Sequence, residues 1–325
     1  MSKNTIYETT RMEDIKCKQT ASDVCEFPER ITLELTNRCN LNCIFCPRHL
    51  MAKHTGFLNV DIAKRLIDEI AEHLPISIVP FFRGEPLLHP NWEEIISYMK
   101  KKGIGPIQMT TNATLMHPEV AQKIIDLEID FISFSLDTLD AEKYEKARRG
   151  ATYSKVIENI ETLLEMKKSS GKIYPEIQVS AIDIIEYKDG MENFVKYWQP
   201  KVDRVRIYIE HSQDGHPGSI AAPLPEFDKR LSCRKVFTDM VILWDGEIAL
   251  CNHDWTREKE HRIGNVVEES ILKVWQNKQY QKIREMHLTG GVSDETICAN
   301  CDHWKMYYLP DGYLGRLYTK DNCDA

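Results

Sequence analysis

Short apolar stretches alternate with longer amphipathic ones from residue 30 to about residue 209. The longer stretches place apolar residues at helical spacing, as in Ile62, Leu66, Ile67 and Ile70. The candidate strands are 30–36, 77–82, 105–110, 130–136, 176–183 and 203–209. The candidate helices are 60–73, 92–102, 118–127, 140–148, 154–169 and 189–197. Six successive strand–helix units predict an α/β fold with a parallel sheet and right-handed crossovers, either open or closed into a barrel.

Local start and stop signals refine these elements. Asn91 with Glu94 resembles a capping box, and Pro118 suits the first turn of a helix. The pattern changes near residue 224, where Leu224-Pro225-Glu226 is typical of a linker. Residues 237–248 then predict a hairpin with its turn at Asp245-Gly246, and residues 271–287 predict one helix.

Composition narrows the class of protein. The 325 residues are 42% hydrophobic and 28% charged, with a net charge of −8, which argues against nucleic acid or an anionic membrane as the main partner. We find no apolar run of membrane-spanning length and no signal-peptide core near the start, so we expect a cytoplasmic protein. Ten cysteines in such a chain predict metal ligands and free thiols rather than a disulfide framework.

Three cysteines follow the first predicted strand with the spacing C-x3-C-x2-C. They are Cys39, Cys43 and Cys46. Three thiolates can hold a four-iron cluster and leave one iron without a protein ligand, which is where a metal site performs chemistry. The alternatives are a Cys3His zinc site completed by His49, or ordinary buried thiols.

Four further cysteines form a second set with the spacing C-x17-C-x46-C-x2-C. They are Cys233, Cys251, Cys298 and Cys301, and the predicted hairpin lies between the first two. Four thiolates close a site completely, around either one zinc ion or one four-iron cluster. The chemistry of the ligands alone leaves both metals open.

The first motif resembles that of the radical S-adenosylmethionine (SAM) superfamily. The cysteine spacing, Phe45 before the third cysteine and the position after the first strand all agree. The resemblance implies a partial (β/α)6 TIM-like barrel in which a [4Fe-4S] cluster binds SAM. It further implies reductive cleavage of SAM to a 5′-deoxyadenosyl radical, which takes a hydrogen atom from the substrate.

Further motifs agree with this resemblance. Gly84, Glu85 and Pro86 resemble the family's Gly-Gly-Glu-Pro motif, which contacts the SAM amino group. Arg83 replaces the first glycine, so we expect it to face the substrate. The remaining residues that the resemblance assigns to the ribose and carboxylate of SAM are Asn112, Ser135, Asp137, and either Arg148 or Arg149.

The segment after residue 224 resembles the SPASM/twitch extension of radical SAM enzymes, which carries auxiliary iron–sulfur clusters. Its first half matches the pattern C-x12-G-x4-C, but two later ligand positions are occupied by Tyr307 and Asp311. The resemblance therefore implies one auxiliary [4Fe-4S] cluster, which either transfers electrons or holds the domain together. The predicted organisation is a cover segment at 1–29, a radical SAM core at 30–223 and a small α+β cluster domain at 224–325.

The fifth and sixth strands are expected to face the substrate. The candidate residues there are Gln178, Arg204, Arg206, Tyr208 and Glu210. Alternation puts the last four on one face, which either lines a pocket or forms a solvated edge. Cys17, Cys25 and Cys323 belong to neither cysteine set and are candidate hydrogen donors or bystanders.

The function that the resemblance implies is hydrogen abstraction from a small polyol, aminosugar or sugar conjugate, leading to dehydrogenation, epimerisation or dehydration. The expected electron donor is a flavodoxin or ferredoxin. One alternative is a maturase that modifies a ribosomal peptide or a protein side chain. An alternative of another class is a metal-bound scaffold without catalytic activity.

Overall fold

The computed structural model of the chain describes residues 24–51, 54–185, 187–210, 218–220, 224–255, 263–292, 296–309 and 315–320. Six parallel strands form the centre, in order of sequence. They are β1 (Arg30–Leu33), β2 (Ser77–Val79), β3 (Gln108–Thr111), β4 (Phe131–Ser135), β5 (Glu176–Asp183) and β6 (Arg204–Ile209). The bridge between Ile78 and Ile107 joins the two halves of this sheet.

Helices connect consecutive strands. They are α1 (Val60–Ala71), α2 (Trp92–Lys101), α3 (Pro118–Asp126), α4 (Ala141–Ala147), α5 (Tyr153–Ser170) and α6 (Met191–Trp198). All six predicted strands and all six predicted helices of this region are confirmed, with slightly different ends. Leu66, Ile67 and Ile70 of α1 are completely buried, and burying each such side chain contributes about 1.5–3 kcal/mol. Pro118 occupies the first turn of α3, as predicted.

Two local predictions are wrong. The Asn91 side chain makes no capping hydrogen bond, because its backbone is not extended and its N–H instead donates to Nδ1 of His89 (3.1 Å). The single helix predicted over 271–287 is two helices, α8 (Ile271–Trp275) and α9 (Lys278–Thr289). Asn277 separates them because its side chain accepts a hydrogen bond from the Tyr280 N–H and caps the second helix.

Strands from the C-terminal part extend both edges of the central sheet. After α7 (Lys235–Thr238), β7 (Asp239–Ile242) pairs parallel with β1, and β8 (Ile248–Ala249) returns antiparallel, which confirms the hairpin. At the other edge, β9 (Gly315–Thr319) pairs antiparallel with β6. The C-terminal segment is therefore hydrogen-bonded to the barrel sheet on both sides.

The inner face of the sheet is unusually polar. Gln108, Ser133 and Gln178 face inward, and the Gln178 side chain donates to Ser133 Oγ (2.9 Å). A closed barrel of this type fills its interior with branched apolar side chains. Here the interior holds a cavity instead. In the part of the chain that the structure describes, no helix is long and apolar enough to span a bilayer.

Candidate active site

The loop after β1 carries the first three cysteines and is anchored at both ends. Arg48 reaches back and donates to the carbonyls of Asn37 (3.2 Å) and Leu41 (3.3 Å). The two-residue strand Asn42–Cys43 pairs antiparallel with Arg148–Arg149, which follows α4. The loop is thereby held at the carboxyl ends of the strands, where active sites of such barrels lie.

The thiols of Cys39, Cys43 and Cys46 lie near one another. All three are half-buried, and each is close enough to another that its charge would disfavour ionisation of its neighbour. Burial raises the pKa of all three, to about 11 for Cys43. The Leu41 N–H donates to Cys39 Sγ (3.5 Å). Neighbouring thiols whose pKa is raised fit a bound metal cluster, because metal binding itself removes the proton.

The Gly84-Glu85-Pro86 segment lies directly against the end of β1. A Cβ on Gly84 would lie 2.3 Å from the Thr36 carbonyl oxygen and 2.4 Å from that of Arg38, so glycine is required for this close approach. The Glu85 N–H donates to the Arg38 carbonyl (2.8 Å). Pro86 begins a short 3-10 helix. The segment is therefore fixed beside the cysteine loop.

The Glu85 carboxyl group is buried and joins this segment to the end of β3. It accepts hydrogen bonds from Thr111 Oγ1 (2.7 Å), the Asn112 N–H (2.8 Å) and the Leu87 N–H (3.3 Å). Burial raises its pKa to about 7, and the three donors oppose this shift. Glu85 therefore changes charge near neutral pH.

Asn112 lies at the cysteine loop itself. Its Nδ2 donates to Asn40 Oδ1 (3.0 Å) and approaches Cys39 Sγ at 3.9 Å. Its Oδ1 accepts from the backbone N–H of Thr114 (3.0 Å). The amide is thus oriented by the loop that carries the cysteines.

The structure separates the two adjacent arginines. Arg148 is buried and forms an ion pair with Asp137, with Nε at 2.7 Å and Nη2 at 2.6 Å from Oδ2. Its guanidinium also lies 5.2 Å from the centre of the Phe45 ring. Burial raises the pKa of the Asp137 carboxyl, and Arg148 opposes this shift. Arg149 is exposed, and Ser135 ends β4 half-buried.

A cavity of about 800 Å³ occupies the interior of the barrel. Six polar side chains on the inner faces of the strands form part of the cavity lining. They are Thr110, Ser133, Gln178, Arg204, Arg206 and Tyr208. Four of the predicted substrate residues are thus brought together in one cavity. Glu210, just beyond β6, is not part of its lining.

Arg83 has a different position from the one expected of a substrate-facing residue. Its side chain is buried outside the cavity, and its Nη2 donates to the Asp254 carbonyl. Its backbone N–H donates to Glu34 Oε1 (3.2 Å), and its guanidinium lies 4.7 Å from the Phe82 ring centre. Arg83 therefore connects the barrel to the loop after β8, because the C-terminal segment packs over it.

The second set of cysteines lines a smaller cavity. Burial raises the pKa of all four thiols, to about 12 for Cys233 and Cys298. Gly218 approaches closely, since a Cβ there would lie 2.3 Å from Cys301 Sγ. These four thiols also fit a bound metal group. Across the described residues, no three His, Cys, Asp or Glu side chains come close enough to bind a single metal ion.

The two cavities share a wall. Lys235 and His303 line both the cysteine cavity and the barrel cavity. Lys235 also forms an ion pair with Asp239 (3.3 Å), the first residue of β7. The second cysteine set therefore lies beside the base of the barrel cavity, where the strands begin.

The three cysteines that belong to neither set give little indication of a role. The Cys25 thiol donates to Glu29 Oε1 (3.0 Å) in an exposed position. Cys17 and Cys323 lie outside the described residues, as does Asp311. The role of these thiols as hydrogen donors stays a prediction.

Sequence reasoning missed a buried acid that joins three segments. Glu34 accepts hydrogen bonds from the backbone N–H groups of Arg83 (3.2 Å) and Trp244 (3.3 Å) and is completely buried. The signal was present, because Glu34 interrupts the apolar stretch just after β1. A buried carboxylate requires hydrogen-bond partners.

Comparison with known proteins identifies the family. The chain matches the family model of the radical SAM superfamily over residues 33–174 and that of the SPASM iron–sulfur cluster-binding domain over residues 233–302. The chain is therefore a radical SAM enzyme that carries a C-terminal SPASM domain. These domains imply SAM, a [4Fe-4S] cluster and an auxiliary iron–sulfur cluster as cofactors.

Two relatives of known description match different lengths of this chain. The tungsten-containing aldehyde ferredoxin oxidoreductase cofactor-modifying protein of Pyrococcus furiosus is 24% identical over 318 residues, covering 84% of this chain and 88% of the relative. A probable GTP 3′,8-cyclase of Methanococcus maripaludis is 33% identical over 135 residues, covering 41% of this chain. The chain spans only 45% of the cyclase.

Solved structures share the fold. SuiB of Streptococcus suis, bound to S-adenosylmethionine, has a TM-score of 0.65 at 18% identity. The match covers 87% of this chain and 72% of the SuiB chain. BtrN, in complex with AdoMet and 2-DOIA, has a TM-score of 0.55 at 19% identity. The match covers 84% of this chain and 92% of the BtrN chain. The partial barrel with a C-terminal cluster domain is thereby confirmed.

Proposed function

We propose that this protein abstracts a hydrogen atom from a small polyol, aminosugar or sugar conjugate and oxidises, epimerises or dehydrates it. The observation that carries this proposal is the cavity of about 800 Å³ inside the barrel, together with the polar side chains that the strands present to it. Its volume suits a small ligand. Hydroxyl, amide and guanidinium groups there match the hydroxyl groups of a sugar.

Cys39, Cys43 and Cys46 would hold the cluster that binds SAM. When bound, the cluster and SAM together supply hydrogen-atom abstraction from an unactivated C–H bond. The Glu85 carboxylate would accept hydrogen bonds from the SAM amino group. Asn112 and the Asp137–Arg148 ion pair border the same loop. Their positions support the predicted contacts to the remainder of SAM.

Cys233, Cys251, Cys298 and Cys301 would hold one auxiliary cluster. Lys235 and His303 belong to both this site and the barrel cavity. A site so close to the substrate supports electron acceptance rather than a purely structural role. An alcohol that loses a hydrogen atom must still release one proton and one electron to become a ketone. We further propose a flavodoxin or ferredoxin as the external donor.

The domain organisation is part of the proposal. A core at 30–223 and a cluster domain at 224–325 agree with the two cysteine sets, although β7 and β9 pair with strands of the core. The segment at 24–29 packs against the C-terminal part, since Trp275 Nε1 donates to the Cys25 carbonyl (2.9 Å).

The test counts iron and acid-labile sulfide after anaerobic reconstitution of the wild type and of a Cys39/Cys43/Cys46→Ala variant. We expect about eight iron atoms to fall to about four, as for two four-iron clusters. Deuterated sugars are then screened for transfer of deuterium into 5′-deoxyadenosine, in the wild type and in Arg206→Gln. Absence of iron in the wild type would refute radical chemistry.

Further outcomes separate the alternatives. Deuterium transfer from a peptide but from no sugar would replace the carbohydrate substrate with a maturase function. About four irons with one zinc would remove the electron-accepting role of the C-terminal site. Iron incorporation without any SAM cleavage would leave only the metal-bound scaffold.

A further inference from the structure

The base of the barrel cavity contains an excess of hydrogen-bond donors. Arg30, the first residue of β1, lines the cavity there. Among the described residues, its guanidinium makes one hydrogen bond, from Nη2 to Gln108 Oε1 (3.2 Å). A guanidinium carries five N–H donors, so most of those of Arg30 are available to a ligand.

Arg234 and Tyr307 line the same part of the cavity. Arg234 Nη1 has no hydrogen-bond partner within the described part of the chain, although its side chain is only 11% exposed, and Nη2 lies 3.7 Å from Glu29. No described residue hydrogen-bonds the Tyr307 hydroxyl. A tyrosine hydroxyl is a hydrogen-bond donor at neutral pH.

The acidic side chains nearby are already engaged. Asp239 accepts from Thr238 Oγ1 (2.7 Å) and pairs with Lys235, and the positive charges of Lys235 and, more weakly, Arg30 help to lower its pKa. Lys235 is also directed toward the auxiliary cysteines, so we do not count it as a ligand donor. Glu29 accepts from Cys25 and faces Arg234. Neither acid therefore satisfies Arg30, Arg234 and Tyr307 together.

The described part of the cavity lining carries an excess of positive charge. Among the described residues, five basic side chains and two acidic ones line the cavity, and a third acid, Glu176, pairs with Arg204 outside the lining. Buried guanidinium groups require partners, and oxyanions match their donor geometry better than neutral hydroxyls do. A neutral sugar would offer Arg30 and Arg234 no oxyanion.

We propose that Arg30, Arg234 and Tyr307 form a subsite for a phosphate or diphosphate group of the substrate. The proposal rests on the proposed function, since the bound molecule is that enzyme's substrate. Two guanidinium groups and one hydroxyl match the charge and the several acceptor oxygens of a phosphate. The subsite lies at the amino ends of the strands, opposite the Cys39–Cys46 loop. The phosphate would hold the sugar while its carbons face SAM.

The experiment titrates inorganic phosphate, pyrophosphate and acetate into reconstituted, SAM-bound protein by anaerobic calorimetry. Arg30→Gln is expected to weaken pyrophosphate binding about tenfold to a hundredfold, the range of one charge-assisted hydrogen bond. Tyr307→Phe removes only a neutral donor and is expected to weaken binding about threefold to tenfold. Arg316→Gln is the control, because Arg316 is exposed on β9 outside the cavity.

Iron content and SAM cleavage are measured on the same preparations. Unchanged pyrophosphate affinity in both Arg30→Gln and Tyr307→Phe, or no wild-type binding, would overturn the subsite. Acetate binding as tight as pyrophosphate binding would overturn the assignment to phosphate. Intact SAM cleavage with no pyrophosphate binding would overturn the subsite and leave the proposed function standing. Lost SAM cleavage with normal, Arg30-dependent binding would count only against the proposed function.

Discussion

Individual residues in the active site are constrained mainly by backbone contacts. Gly84 is held against two carbonyl groups at the end of β1, and Glu85 is bonded to Arg38 by its backbone and to the end of β3 by its side chain. Glycine is therefore required at this position because a side chain would overlap the two carbonyl groups, and not because the backbone adopts a turn conformation. The carboxyl beside it gains its unusual pKa from burial.

Gly84→Ala is expected to destabilise the protein by about 1–3 kcal/mol, because the added methyl group overlaps carbonyl oxygens that cannot move aside cheaply. Gly190→Ala is the matched control, since a Cβ there has nothing within 4 Å. Anaerobic denaturant unfolding measures both variants. Equal stability of the two variants would contradict the close packing of Gly84.

SAM affinity is expected to increase as pH rises through neutrality. The pKa of Glu85 is about 7, so its carboxylate, which we propose binds the SAM ammonium, forms as pH rises through that value. Affinity should therefore rise up to about tenfold between about pH 6 and pH 8. Calorimetric titration of SAM at several pH values measures this slope. Glu85→Gln should flatten it, and an equally steep slope in that variant would exclude Glu85 as its source.

At the scale of elements, the C-terminal helices are capped by polar side chains, some adjacent in sequence and one from a distant helix. Ser270 caps α8 locally, and Glu69 of α1 accepts from the N–H groups of Ile271 and Leu272 (2.9 Å each). Asn277 caps α9 and also donates to the Ile263 carbonyl (2.7 Å). These contacts explain why the helix breaks at Asn277 although the apolar pattern of the sequence continues across the break.

Asn277→Ala is expected to lower the free energy of unfolding by about 1–2 kcal/mol, the usual cost of a lost N-cap, with its second hydrogen bond adding to it. Lys282→Ala, on the exposed side of the same helix, should change it by less than about 0.5 kcal/mol. Urea unfolding under anaerobic conditions compares the two. A smaller effect at Asn277 than at Lys282 would contradict the cap.

At the scale of the whole molecule, the cavity is closed by strands distant in sequence. Strand β7 covers the β1 edge, β9 covers the β6 edge, and Arg65 of α1 donates to the Val266 carbonyl. The C-terminal segment also supplies Tyr307 and His303 to the cavity. The barrel cavity and the second cysteine site are therefore formed together.

A chain truncated to residues 1–223 is expected to aggregate, because it exposes two sheet edges that β7 and β9 normally cover. Size-exclusion chromatography of the truncated and full-length chains measures this. Coexpression of residues 224–325 should restore a soluble complex. A monomeric, soluble truncated chain would show that the edges need no cover.

The sequence anticipated much of the barrel and less of the site's internal contacts. Apolar periodicity predicted β5 at 176–183 with its observed ends, because alternation is a local signal. It predicted one helix over 271–287, because the Asn277 cap leaves that periodicity unbroken. The resemblance of residues 84–86 to a family motif led us to expect Arg83 to face the substrate, whereas packing of the loop after β8 buries that side chain.

What the sequence determined by itself was the strand–helix alternation, the two cysteine spacings and the glycine beside Glu85. The alternation and the glycine follow from steric and hydrogen-bonding rules that act within a few residues, and the cysteine spacings are read directly from the chain. Only the tertiary structure decided that Arg148 rather than Arg149 is buried against Asp137, and that Arg30, Arg234 and Tyr307 border one cavity. Such contacts depend on which distant segments cover the edges of the sheet, and local sequence patterns do not encode that arrangement.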